Sequence, residues 1–354
     1  MLVGLLLAGA AALSASAAAD RELNLFAWSE YIPQSVLDDF TAETGVQVHY
    51  ETFSSGEEML AKLLAGASSY DLIQPPDYIA EALIKHGLLS RLDFSRLPHF
   101  ANILPAYRHL PFDPDQAYTV PYMAGIAGIV YNAAKVKEPI RGYRDLFAAA
   151  HQGRIVVIDD SRELVTAALY SLGYQTNDIT PASLAKVRPV LAEWFERIKL
   201  FDSDSPKTAL LNGDVDLGFV WCGEAALLLN QDRKFRFVLP VEGAHASVDV
   251  LAIPAGARHG AAALSLIDFL LRPEMSKRIS DAFPYTNPNG AARRLLTAAQ
   301  LANPASYPTV DRPLDTFRDI GRMGEARDGY PSVANQFAVQ SFGKGLCCIG
   351  KWHG

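Results

Sequence analysis

Short apolar runs alternate along the chain with stretches whose apolar positions recur every three or four residues, the pattern of strands followed by covering helices. Residues 23–28 read as a strand. Pro33 then opens a helix carrying Val36, Leu37 and Phe40, which stops near Gly45. The unit repeats at once: 46–50 is a strand, 54–58 caps a helix with Met59, Leu60 and Leu63, and 71–73 is the next strand. A second half follows the same logic. Strand 154–158 runs into an acidic cap at 159–163 and a helix through Leu164, Ala168 and Leu169, and strand 215–221 opens at Cys222 and Gly223 into another. Strands at 235–239 and 248–253 precede an amphipathic helix over 261–271. The class is α/β, with parallel sheets flanked by helices. Sites in such sheets lie beyond the carboxyl ends of strands, so the loops at 28–31, 52–56 and 74–78 are candidates.

At 354 residues the chain exceeds a usual single core, and two lobes are expected. No low-complexity linker separates the halves, so lobes joined by strands, with the chain crossing more than once, fit best. The expected boundaries are 20–126 for the first lobe, 127–249 for the second, 250–300 for a return to the first, and 301–354 for C-terminal helices and a loose tail. With 49% hydrophobic and 20% charged residues, global disorder is excluded. The opening ten residues are apolar and lead through small residues 14–19 to Asp20, as in an export signal that lacks its basic start. Cleavage after Ala17 or Ala19 is expected, giving a periplasmic protein. No Cys follows those small residues, so a lipid anchor is not indicated. The net charge of -7 argues against nucleic acid as a partner. Cys222, Cys347 and Cys348 form neither a disulfide framework nor a zinc motif.

The informative chemistry is a set of aromatic and acidic residues at strand ends: Trp28, Tyr31, Tyr78, Trp221 and Tyr285 with Asp160, Glu163 and Asp249. An isolated Trp there is ordinarily core or rim, and an Asp before a helix is ordinarily an N-cap. Their shared location changes the reading. A desolvated ammonium gains about 2 kcal/mol from a ring face, and a charge-assisted hydrogen bond adds about 1.5–3 kcal/mol. Linear polyamines suit such a box, since each methylene buried along the rings is worth about 0.8 kcal/mol. Enzyme motifs are missing: there is no nucleophile elbow, zinc helix or phosphate loop. Cys222 is a lone thiol without an evident base, and the run at 202–205 reads as a solvated turn rather than a calcium loop.

From Leu23 to Leu296 the chain resembles the spermidine- and putrescine-binding receptors of bacterial polyamine importers. The stretches that carry the likeness include Trp28-Ser-Glu-Tyr-Ile32, Tyr70-Asp-Leu-Ile73, Asp159-Asp-Ser-Arg-Glu163, Leu217-Gly-Phe-Val-Trp221, Leu251-Ala-Ile-Pro254 and Tyr285-Thr-Asn-Pro-Asn289. The resemblance implies a type II periplasmic-binding fold, two lobes on a hinge. It implies a monomer that binds a polyamine, hands it to the membrane permease of an ABC importer, and needs no cofactor, metal or catalytic group. Position by position, Trp28, Ser29 and Tyr31 match the first loop and Tyr78 the aromatic after the third strand. Asp160 and Glu163 match a pair gripping one amine, Trp221 the cleft floor, Asp249 the acid for another amine, Tyr285 a hinge-side phenol and Ser203 a minor polar contact. Ser247 stands where an aromatic is usual, Pro76 replaces a serine, Ala124 replaces a Trp, and Arg318 lies near the usual amide contact. Another amine-type solute, a sensory subunit presenting ligand to a receptor, and a hydrolase using Cys222 are the alternatives.

Overall fold

The computed structural model describes residues 21–53, 56–66, 69–203 and 205–309. The expected leader, Arg318, Cys347, Cys348 and the tail lie outside the described residues.

The first strands and helices form where the pattern placed them. β1 (Glu22–Trp28), α1 (Gln34–Thr44), β2 (Gln47–Phe53), α2 (Gly56–Leu64), β3 (Leu72–Ile73) and α3 (Asp77–Lys85) follow in order. Pro33 sits one position before α1, and Gly45 ends that helix at φ 72° with its amide returned to the Thr41 carbonyl. β1 runs parallel to both β2 and β3. Turns of 3-10 helix then lead to β4 (Thr119–Asn132), to which the apolar alternation gives no sign. Nearly all of β4 is buried on both faces, so it has no polar side to reveal a period of two. Pro121, Gly125 and Gly128 further disguise it.

The remainder comprises α4 (Tyr143–Leu146), β5 (Ile155–Val157), α5 (Ser161–Ser171), α6 (Pro181–Phe195), β6 (Ile198–Phe201), α7 (Pro206–Asn212), β7 (Leu217–Trp221), α8 (Cys222–Gln231) and β8 (Phe235–Val238). Then come β9 (Ala246–Ala252), α9 (Gly260–Leu270), α10 (Pro273–Ala282), α11 (Gly290–Arg293) and α12 (Ala298–Leu301). The sheet order is β2-β1-β3-β9-β4-β7-β5-β6, with β8 also on β4. Both flanks are parallel, whereas the centre is antiparallel, a departure from the all-parallel expectation. β4 is the reason. Residues 119–126 pair with β9, with a bulge between Pro121 and Met123, and residues 127–132 pair with β7 and β8.

Each half has its own core. Leu23, Leu25, Phe40 and Ile267 pack together in the first half, and Phe147, Val157, Leu169 and Trp194 in the second. Trp221, at the end of β7, touches both.

Asp113 ties down the start of β4. Its buried carboxylate accepts from the amides of Ala117, Tyr118 and Thr119 and from the Thr119 hydroxyl, each at 2.9 Å. Asp113→Ala leaves those donors unanswered and is expected to cost about 2–3 kcal/mol in urea unfolding. A loss below about 0.5 kcal/mol, the range of neutral surface changes, would show that β4 is held from elsewhere.

Candidate ligand cleft

The strand ends converge on one cleft that encloses about 810 Å³, its open mouth included. Trp28 closes β1, and the chain then turns through Glu30, which adopts a left-handed φ of 51°. Two hydroxyls fix this turn: Tyr50 donates to the Trp28 carbonyl and Tyr122 of β4 to the Tyr31 carbonyl at 2.8 Å. Tyr78 enters from α3, Trp221 from β7, Ser203 from the loop before α7, Asp249 from β9 and Tyr285 from beyond α10. Tyr31 and Tyr285 rings lie 5.0 Å apart. All ten residues singled out in the sequence, Ser29, Asp160 and Glu163 among them, line this cleft. The loop at 52–56 contributes no described residue to it; Phe53 instead packs behind the Trp28 ring at 4.4 Å.

The acids differ in their surroundings. Asp249 is only 7% exposed, and burial together with the neighbouring Asp77 pushes its carboxyl up to about 7. The Tyr31 hydroxyl and the Trp28 indole oppose that rise, the buried indole N–H stopping short of a hydrogen bond. Asp77 is itself buried and raised, although it accepts from the Tyr78 and Val248 amides. Asp160 caps α5, accepting from the Arg162 and Glu163 amides at 2.9 and 3.1 Å.

Glu163 has a partner the sequence reading did not give it. Its Oε1 lies 2.6 Å from Nδ1 of His245, and both side chains are buried. Burial disfavours a charged His245, but Glu163 and Asp77 outweigh it and raise the imidazole above its ordinary value. Ser247 lines the cleft beside it. The Arg162 guanidinium lies 3.3 Å from the Tyr78 ring centroid, across from α3.

Glu30 and Glu224 were missed. Lys207 of α7 places its ammonium 3.0 Å from both Glu224 oxygens and 2.9 Å from Glu30. Burial pushes the Glu224 carboxyl up to about 7 against the pull of that lysine. An acid in the first turn of a helix and a lysine after a proline are ordinary in isolation, so only the Glu beside Trp28 offered a signal. Cys222 is fully buried, its thiol pushed up to about 11 by burial, and its sulfur accepts from the Ile126 amide at 3.4 Å. Burial of this kind disfavours the thiolate on which nucleophilic attack depends.

Fold and cleft together have the form of a two-lobed α/β receptor for a small solute, with a crevice at its strand ends. The family model for bacterial extracellular solute-binding proteins matches residues 35–309, and the chain belongs to that family. It is 36% identical over 312 residues to the spermidine/putrescine-binding periplasmic protein of Escherichia coli K12, covering 87% of this chain and 90% of that one. A putrescine-binding periplasmic protein of Pseudomonas aeruginosa is 32% identical over 90% of this chain and 93% of its own. Among solved structures, a putative spermidine/putrescine ABC transporter from Listeria monocytogenes superposes with a TM-score of 0.86 at 29% identity, over 90% of this chain and 99% of that one.

The Asp249 environment fixes the sign of a pH effect. The folded protein holds this proton more tightly than the unfolded chain, whose aspartates titrate near about 3.9, so ionisation weakens the empty protein as pH rises through about 4 to 7. Asp249→Asn is therefore expected to raise the melting temperature of the ligand-free protein by several degrees at about pH 8 and not at about pH 4. An equal change at both pH values would mean that Asp249 is not held protonated by its site.

Proposed function

We propose that the protein is the extracytoplasmic receptor of an ABC importer for a polyamine of the putrescine or spermidine kind, which it binds between its lobes and delivers to the membrane permease. One observation carries this: Asp249, a buried carboxylate facing a second acid and walled by the Trp28 and Tyr31 rings, meets no protein cation among the described residues. An ammonium supplies the missing charge, and the rings take the methylenes. The names of the relatives favour the same ligand class. In this reading Trp28, Tyr31, Trp221, Asp249 and Tyr285 form the box, with Ser29, Tyr78, Asp160, Glu163 and Ser203 around it. The protein acts as an exported monomer.

Diamines and polyamines should raise the melting temperature while sugars and neutral amino acids do not; at 100 times the dissociation constant the gain is about 2.7 kcal/mol. A hit among sugars with a flat amine series overturns the proposal. Asp249→Asn should weaken amine binding by about 1.5–3 kcal/mol in calorimetry while the fold persists. Affinity should fall below about pH 7 as a proton takes the Asp249 carboxylate, and again near about pH 10 as the amine loses its charge. Pocket affinity constant across that span would point to a neutral solute.

A further inference from the structure

Lys207 joins two parts of the molecule that reach the cleft separately. It stands in the first turn of α7, which packs on α8, β5 and β7, and both carboxylate oxygens of Glu224 in α8 lie 3.0 Å from its ammonium. That pair sits within one half, with side-chain exposures of only 18% and 6%. The third contact, 2.9 Å to Glu30, reaches the other half. Glu30 lies on the turn after β1, where the Tyr50 and Tyr122 hydroxyls hold the flanking Trp28 and Tyr31 carbonyls, so its position is set by the first half alone. Resting on the receptor reading above, we propose that Lys207 is a latch: an ammonium held by Glu224 in the second half, which takes Glu30 of the first as the cleft closes and slows the escape of a bound solute.

The physical basis is preorganisation. A lysine that reaches from solvent for a carboxylate gives up the freedom of its long side chain, and in an ordinary surface pair this loss offsets most of the gain. Lys207 has already given up that freedom to Glu224, so the contact with Glu30 forms without repeating the loss. Arg162 of α5 over the Tyr78 ring of α3 also joins the halves, so removing Lys207 loosens closure and does not abolish it. The sign of the effect separates a latch from a simple influence of charge. Lys207→Met makes the cleft more negative and Glu30→Gln makes it less so; charge alone would have the first hold a cation longer and the second hold it more briefly. Breaking a latch from either side speeds release.

Stopped-flow release of putrescine, followed by the fluorescence of the cleft tryptophans Trp28 and Trp221, tests the inference. Lys207→Met and Glu30→Gln should each raise the dissociation rate at least about twofold, and the double variant no further than the larger single one, as partners in one contact do. An unchanged rate, slower release from Lys207→Met, or effects that multiply in the double variant overturns the latch and leaves the receptor intact. Should Lys207→Met fail to fold, Glu30→Gln, a change at an exposed residue, decides through X-ray scattering with putrescine present: a radius of gyration larger than the native one upholds the latch, and an equal one overturns it. The same comparison without ligand decides it if putrescine does not bind, an outcome that defeats the receptor reading itself.

Discussion

Strand β4 carries the constraint on which the molecule turns. It supplies one edge to β9 and then, past Ile126, pairs with β7 and β8. A strand that is interior to both halves needs apolar side chains on both faces, and it needs small residues where other chains approach. At Gly128 a Cβ would lie 2.4 Å from the Phe237 ring. The bulge after Pro121 and the carboxylate of Asp113 set where the strand begins and how its side chains face. Tyr122 on the same strand donates its hydroxyl to the Tyr31 carbonyl, so β4 also holds the first wall of the cleft in place.

Electrostatics in the cleft follow from this geometry. Carboxylates from α5, α8, β9 and the loop after β1 converge on the cleft, and burial disfavours the charges of Glu224 and Asp249. The protein answers Glu30, Glu224 and Glu163 with its own side chains, and in the proposed function the remaining acids are left to the solute. A site built this way holds its charge only at a cost when empty, which is how binding energy becomes selective for a cation over a neutral molecule of the same shape.

Much of the framework was legible because the first strand and helix units keep clean periods and end on residues with one conformational use. Gly45 takes a left-handed turn and Asp160 caps a helix, as their positions suggested. Strand ends in an α/β chain face a common crevice, and for that reason all ten singled-out residues meet around one cleft. What escaped has a shared physical cause. β4 hides its period through burial on both faces, and the ion pairs join residues distant in sequence: His245 and Glu163 are 82 apart, Lys207 and Glu30 are 177 apart. Neither spacing nor composition reports on such pairs. Glu163 thus has a buried partner in His245, whereas Asp249 faces no cation among the described residues.

Lys207 has a second consequence, which concerns ions in solution. It belongs to the half built on β5 and β7, while Glu30 belongs to the turn after β1, so their contact crosses the mouth of the cleft. Glu30 is 52% exposed, and an ion pair so placed is screened by dissolved salt; the Glu163–His245 pair, at 3% and 1%, is not. Counter-ions thus reach the rim and leave the interior alone. As ionic strength rises, the tie between the two halves slackens, and the buried Glu163–His245 pair stays as it was.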